Sequence, residues 1–238
     1  MISAATNTST DVSRGRILPG TYFMQNFKNL TAQQPLWRAL GNSLFYAVLT
    51  TVICLLICSI AGYGFEVYHD RWKDRLFSIL LLAMMVPQVA TMVPLFKMFS
   101  KAGLLNTAVG FILPIISTPF MIMMFRQNAR AFPIDIIEAA RSEVRIFFQM
   151  FIPTMKSTYA AAAVITFMNA WNSYLWPKVI MTDNKAMTMP MLIANLITGY
   201  VTDYGMLMCG VLFCSIPTMI VFFVLQKQFA EGITGAVK

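Results

Sequence analysis

The side chains able to do chemistry are few and poorly placed for it. The single histidine, His69, stands in the loop sequence EVYHDRWKDR with no serine or cysteine positioned beside it, so a base-activated nucleophile has no components. The four cysteines fall at Cys54, Cys58, Cys209 and Cys214, each in an apolar run without histidine or carboxylate nearby, a setting of buried thiols and not of a metal site. The glycine loop GxxxxGK[ST] that cradles nucleotide phosphates is absent, and no G-K pair occurs. All ten acidic residues lie outside the cores of the apolar runs, Glu66 coming nearest. The sequence therefore predicts no catalytic residue, no cofactor, no metal and no enzyme.

The elements around these residues are those of a membrane protein. Of 238 residues 58% are hydrophobic and 12% charged, with a mean hydropathy of +0.65, outside the range of ordinary soluble domains. Five runs approach the length needed to cross a bilayer: Ser43–Phe65, Leu76–Phe96, Ala108–Phe125, Thr158–Leu175 and Gly205–Leu225. Their prolines, 87, 94, 114, 119 and 217, are tolerable in membrane helices whose neighbours satisfy the freed carbonyls. The expected fold is all-α, a polytopic helical membrane protein of about five spans. Residues 1–41 form a polar leader without the apolar core of a secretory signal, 42–227 the transmembrane domain and 228–238 a tail. The Ala160–Ala163 run, Gly62 and Gly64 are small enough for helices to approach closely. The loop KMFSKAGLLNTAVG reads as a turn on Gly103 and Asn106, and 177–204 as short helices folding back.

Basic residues orient the chain. Segments 66–75, 126–157 and 226–238 hold ten lysines and arginines in fifty-five residues, against eight in eighty-one for the opposite segments. The positive-inside rule then makes the first set, and the C-terminus, cytoplasmic. The net charge of +8 is accounted for by loops and anionic lipid, with no aromatic-basic platform for nucleic acid. Spans free of acids disfavour proton or cation coupling, although Na⁺ held by backbone carbonyls stays open. Anything moved by this chain would draw its energy from another.

One charged stretch within segment 126–157, residues 133–153 with the sequence PIDIIEAARSEVRIFFQMFIP, is suited to receiving that energy. Pro133 fits a first helical turn, and Asp135 and Glu138 favour a helix N-terminus. Ile136, Ala139, Ala140 and Val144 then recur at helical spacing, with Glu138, Arg141, Glu143 and Arg145 as a polar rim. The same periodicity also suits an amphipathic helix lying on lipid.

The order of Glu138-Ala139-Ala140, a cytoplasmic helix and Ile152-Pro153 just before a span resembles the signature E-A-A-x3-G-x9-I-x-L-P of bacterial ABC importer permeases. The text FMNAWNSYLWPKVIMTDNKAMTMPMLIANL, together with QNFKNL, NSLFYAV and EGITGAVK, is similar to the carbohydrate-uptake, maltose-type branch over most of residues 25–238. The resemblance implies a pathway built by two permease subunits, a dimer of ATP-binding subunits beneath it and an extracytoplasmic sugar-binding protein, all in a bacterial inner membrane. It assigns ATPase coupling to Glu138, Ala139, Ala140, Arg141, Ile152 and Pro153. Pathway contacts are expected at Asn169, Trp171, Asn172, Tyr174 and Trp176, since sugars favour aromatic faces beside amides; interfacial anchoring is the alternative for the two tryptophans. Two departures stand out. The signature is four residues short and has no glycine, which implies a shorter or fused coupling helix and weakened docking. The branch usually has six spans, so its first is expected to be missing. A non-transporting scaffold of the same complex is the alternative function, with an ion-coupled secondary transporter behind it.

Overall fold

Three prolines of the apolar runs, Pro87, Pro114 and Pro119, lie where the chain leaves or re-enters a helix. The computed structural model describes residues 1–68, 70–130, 146–198 and 202–235, and every regular element among them is helical. His69 and the centre of the charged stretch, with Glu138, Ala139, Ala140 and Arg141, lie outside the described residues.

The polar leader contains three helices, α1 (Ile2–Ala5), α2 (Ser9–Ser13) and α3 (Phe23–Gln33). Thr8 caps α2, accepting from the Asp11 amide at 3.2 Å and donating its hydroxyl to the Asp11 carboxylate at 2.7 Å. That hydroxyl, aided by the Arg16 guanidinium, holds the Asp11 carboxyl below its ordinary range. Buried Asn26 on α3 donates to the carbonyls of Ala5 and Asn7, both at 2.9 Å, and Ser9 accepts from the Tyr204 amide at 3.0 Å. Residues that read as a polar leader thus form a small cap seated on the start of the last helix, Tyr204–Gly235.

The first expected span is a single helix, α4 (Leu36–Val67), of 32 residues. The second is broken. α5 (Arg71–Ala83) and α6 (Gln88–Lys101) meet at 101°, because Pro87 lacks an N–H and pushes Val86 toward extended backbone. Met84, Met85 and Val86 close the end of α5 with short i→i−3 bonds. The third run divides into α7 (Ala108–Ile112) and α8 (Pro119–Ala129); Pro114 lies in the gap and Pro119 takes the first helical position of α8. A π-helical turn, Phe147–Phe151, leads through α9 (Ile152–Thr154) into α10 (Lys156–Trp171). α11 (Leu175–Ile180), a 3₁₀ turn and α12 (Met189–Ile197) fold back in short pieces, as expected. α13 (Tyr204–Gly235) closes the chain and continues the helix through most of the expected tail. By length and composition, α4 and Tyr204–Val224 can each cross a membrane, and the bent α5–α6 pair makes a third span if counted as one. The five apolar runs are therefore helical, but three of them are interrupted.

α4 is the axis of the packing, lying against α8 and α10, and α13 packs on α10. Gly62 sets the α4–α8 distance: a Cβ there would stand 2.6 Å from Phe125 Cβ and 2.8 Å from the Arg126 amide nitrogen. Gly64, also expected to serve close packing, has nothing within 4 Å of its Cβ position. Ala162 is fully buried with Cys54 and Cys58 where α10 meets α4 and α8. Gly103 and Asn106 both adopt positive φ, at 67° and 58°, as the turn required. The Asn106 side chain then fastens the turn to the 181–183 loop, donating to Thr182 Oγ1 at 3.0 Å and accepting from the Asp183 amide at 2.9 Å.

Candidate functional site

A cavity of about 710 Å³ opens where three apolar runs are interrupted. Its walls come from the α5–α6 bend (Val86, Gln88), from the α7–α8 gap (Pro114, Thr118) and from the turn after α10 (Asn172, Ser173). Irregular backbone inside apolar segments is stable only where its N–H and C=O groups face protein or a water-filled space, so the breaks and the cavity explain one another.

Four of the five candidate contact residues line this cavity: Asn169, Asn172, Tyr174 and Trp176. Asn169 and Asn172 are one helical turn apart on the end of α10 and both are exposed. The Asn172 amide donates to the Met168 carbonyl at 2.9 Å, which anchors the side chain at the helix end. Trp176 is 4% exposed; its Nε1 donates to the Gly110 carbonyl at 3.1 Å and its ring meets Phe99 edge-on at 5.4 Å. It is a wall fixed from behind. Trp171 lies elsewhere. It is 1% exposed, stacks on Phe167 and donates Nε1 to the Cys214 carbonyl at 3.1 Å, in the core between α10 and α13. On a helix Trp171 points about 200° away from Asn169, so the two cannot share a face. Gln88, Thr91 and Thr118, which sequence reasoning did not single out, add polar groups to the walls. A signal for them existed: each is a polar residue close to a proline within an apolar run.

The charged stretch has its own anchorage. Phe147 and Phe151 pack on Tyr63 of α4 at 5.5 and 4.9 Å, in a cluster with Ala129, Ile146 and Met155. Of the two coupling candidates within the described residues, Ile152 is half-buried against this cluster and Pro153 is exposed. One turn along α4, Glu66 Oε2 accepts from Arg126 Nε at 3.1 Å, while Arg126 also reaches Asp74 Oδ1 at 2.7 Å and Arg130 lies 3.5 Å from Glu66 Oε1. Pairs this far apart in sequence leave no local pattern to read.

Comparison with known proteins places this architecture. The chain is 40% identical to the lactose transport system permease protein LacG of Rhizobium radiobacter, over all of its own length and 89% of the relative. It is 34% identical to the arabinooligosaccharides transport system permease protein AraQ of Halalkalibacterium halodurans, again over all of this chain and 89% of that one. Its fold matches a chain of a bacterial ABC transporter involved in the import of the acidic polysaccharide alginate, with a TM-score of 0.83 at 20% identity, covering 95% of this chain and 88% of that chain. The family model for binding-protein-dependent transport system inner membrane components matches residues 55–235, and the chain belongs to that family.

Proposed function

We propose that this chain is a permease subunit of an ATP-driven sugar importer and that the cavity at the three helix breaks is its share of the pathway. The observation that carries the reading is the lining: amides, hydroxyls, Tyr174 and the Trp176 wall converge there, with no charged side chain among the described lining residues. Such a surface suits neutral sugars, which present hydroxyls to amides and C–H faces to aromatic rings. The alginate importer handles an acidic polysaccharide, whose carboxylates would call for cations. The lactose and arabinooligosaccharide permeases, closer in sequence, are named for neutral sugars.

The partners belong to the same proposal: a second permease, a dimer of ATP-binding subunits docking at Glu138, Ala139, Ala140 and Arg141, and an extracytoplasmic sugar-binding protein. The C-terminus lies on the cytoplasmic side with the docking stretch, in a bacterial inner membrane. Affinity purification from membranes, followed by reconstitution into liposomes, tests this. The expected result is co-purification of an ATP-binding subunit and ATP-dependent uptake of a neutral oligosaccharide that a uronate-bearing one does not inhibit. Uptake driven by an ion gradient without ATP would overturn the reading. A full complex that transports no sugar would identify the non-transporting scaffold.

Asn172→Ala probes the pathway itself. The side chain is exposed, so assembly should be unchanged, while loss of one hydrogen bond to the sugar lowers uptake about fivefold to tenfold. Equal uptake at matched complex levels would remove Asn172 from the pathway.

A further inference from the structure

On either side of residues 131–145 the described chain grips the same turn of α4. After that stretch, Phe147 and Phe151 pack on Tyr63. Before it, Arg126 and Arg130 at the end of α8 both meet Glu66. Arg126 is 5% exposed, and its guanidinium is satisfied by carboxylates from two different helices, Glu66 of α4 and Asp74 of α5, over the face of Phe77 at 4.3 Å.

The link to α5 constrains the fold in a way that the link to α4 does not. α4 and α8 are already pressed together at Gly62, so the Glu66 pair adds little freedom or constraint there. α5, by contrast, has no fully buried residue. It is held by the Asp74–Arg126 pair and by Phe77 and Leu80, which pack against the buried cluster where α4, α8 and α10 meet; the Phe77 ring lies 5.6 Å from Phe65. The far end of α5, about 14 Å from Asp74 along the helix, carries Ala83 and runs into Val86 and Gln88 in the cavity wall. The salt bridge near one end of α5 and the cavity wall at its other end are thus joined by a single continuous helix. Burying an arginine is costly and an apolar residue would pack more cheaply, so stability alone gives little reason for the charge. The planar fork holds the two carboxylates on separate nitrogens, Nε for Glu66 and Nη2 for Asp74, a spacing that an apolar contact or the single nitrogen of a lysine does not reproduce.

We infer that Arg126 is a positioning residue for transport: through Asp74 it couples the end of α8 to the α5–α6 wall of the cavity. This rests on the reading of the chain as an importer subunit.

The test uses the purified complete complex in liposomes and measures sugar transported per ATP hydrolysed. Asp74→Asn removes the charge that draws Arg126 to α5, leaving a neutral amide oxygen as acceptor, and keeps the Arg126–Glu66 contact in place. The expected result is an intact complex that still hydrolyses ATP, with sugar moved per ATP reduced about fivefold or more, the usual range of coupling between sites. Asp74→Glu should restore the ratio, and Arg126→Lys, which keeps the charge and loses the fork, should resemble Asp74→Asn. A wild-type ratio in Asp74→Asn overturns the proposal, as does a fall in uptake matched by equal falls in ATP hydrolysis and in complex recovered, the mark of a purely structural contact. If the wild-type complex shows no ATP-dependent uptake, the importer reading fails first and takes this proposal with it.

Discussion

Gly62→Val is expected to pry α8 from α4 and cost about 3 kcal/mol, the upper part of the range for overpacking. The added Cβ alone would lie 2.6 Å from Phe125 Cβ and 2.8 Å from the Arg126 amide nitrogen. Both obstacles belong to the stem of a helix, not to the tip of a flexible side chain, so relief requires the two helices to separate. Separation would also pull Arg126 from Glu66 and Asp74 and leave a guanidinium that is now 5% exposed without its carboxylates. Gly64→Val is the control. It lies two residues along the same helix with nothing within 4 Å, and valine is slightly better than glycine in a helix, so stability should hold or rise by a few tenths of a kcal/mol. Thermal unfolding of the detergent-solubilised variants, followed by size-exclusion chromatography, separates the two. Equal melting of both variants would show that the α4–α8 contact has room to spare.

How far the molecule was legible follows from what each residue type can signal alone. Helical membrane character was legible in composition, because apolar runs near twenty residues have few other uses. The fate of each proline was not. Pro94 and Pro217 sit inside continuous helices, whereas Pro87, Pro114 and Pro119 lie at interruptions. A lost N–H is tolerated or not according to what neighbouring helices offer the freed carbonyl, and that is a tertiary fact. The cavity was hidden as a place for the same reason, although Asn169, Asn172, Tyr174 and Trp176 stood out individually. Gly62 and Gly64 look alike in sequence, and only the helix opposite distinguishes them. Glu66, Asp74 and Arg126 read as ordinary loop charges because their pairing spans 60 and 52 positions. The polar leader was legible as polar but not as folded: Asn26 gains its meaning only when the carbonyls of Ala5 and Asn7 arrive beside it. Asn42 and Ser43, inside a string that carried the family resemblance, act in the same way. Asn42 donates to the carbonyls of Lys185 and Met187, and Ser43 accepts from the Met189 amide.

Trp176→Ala should be the most damaging single change to the cavity wall. Truncating a buried tryptophan costs about 3–5 kcal/mol through lost contacts and the void left behind. Here the void would adjoin an existing cavity of about 710 Å³, so water can enter it, and the Gly110 carbonyl loses its protein donor. Gly110 has no room to adjust, since a Cβ at that position would already stand 2.2 Å from the Leu104 carbonyl oxygen. Trp176→Phe divides the effect. The ring keeps most of the contact with Phe99, while the Gly110 carbonyl is left unpaired at a cost of about 1–3 kcal/mol unless water reaches it. Trp171→Phe makes the matching change in the core between α10 and α13, away from the cavity, and removes the donor to the Cys214 carbonyl. If Trp176 is a wall of the pathway, both phenylalanine variants lose comparable stability, but only Trp176→Phe changes the sugar concentration at half-maximal uptake. If uptake responds equally to the two, Trp176 acts as a core residue that happens to border the cavity, and sugar recognition falls to Asn169, Asn172 and Tyr174.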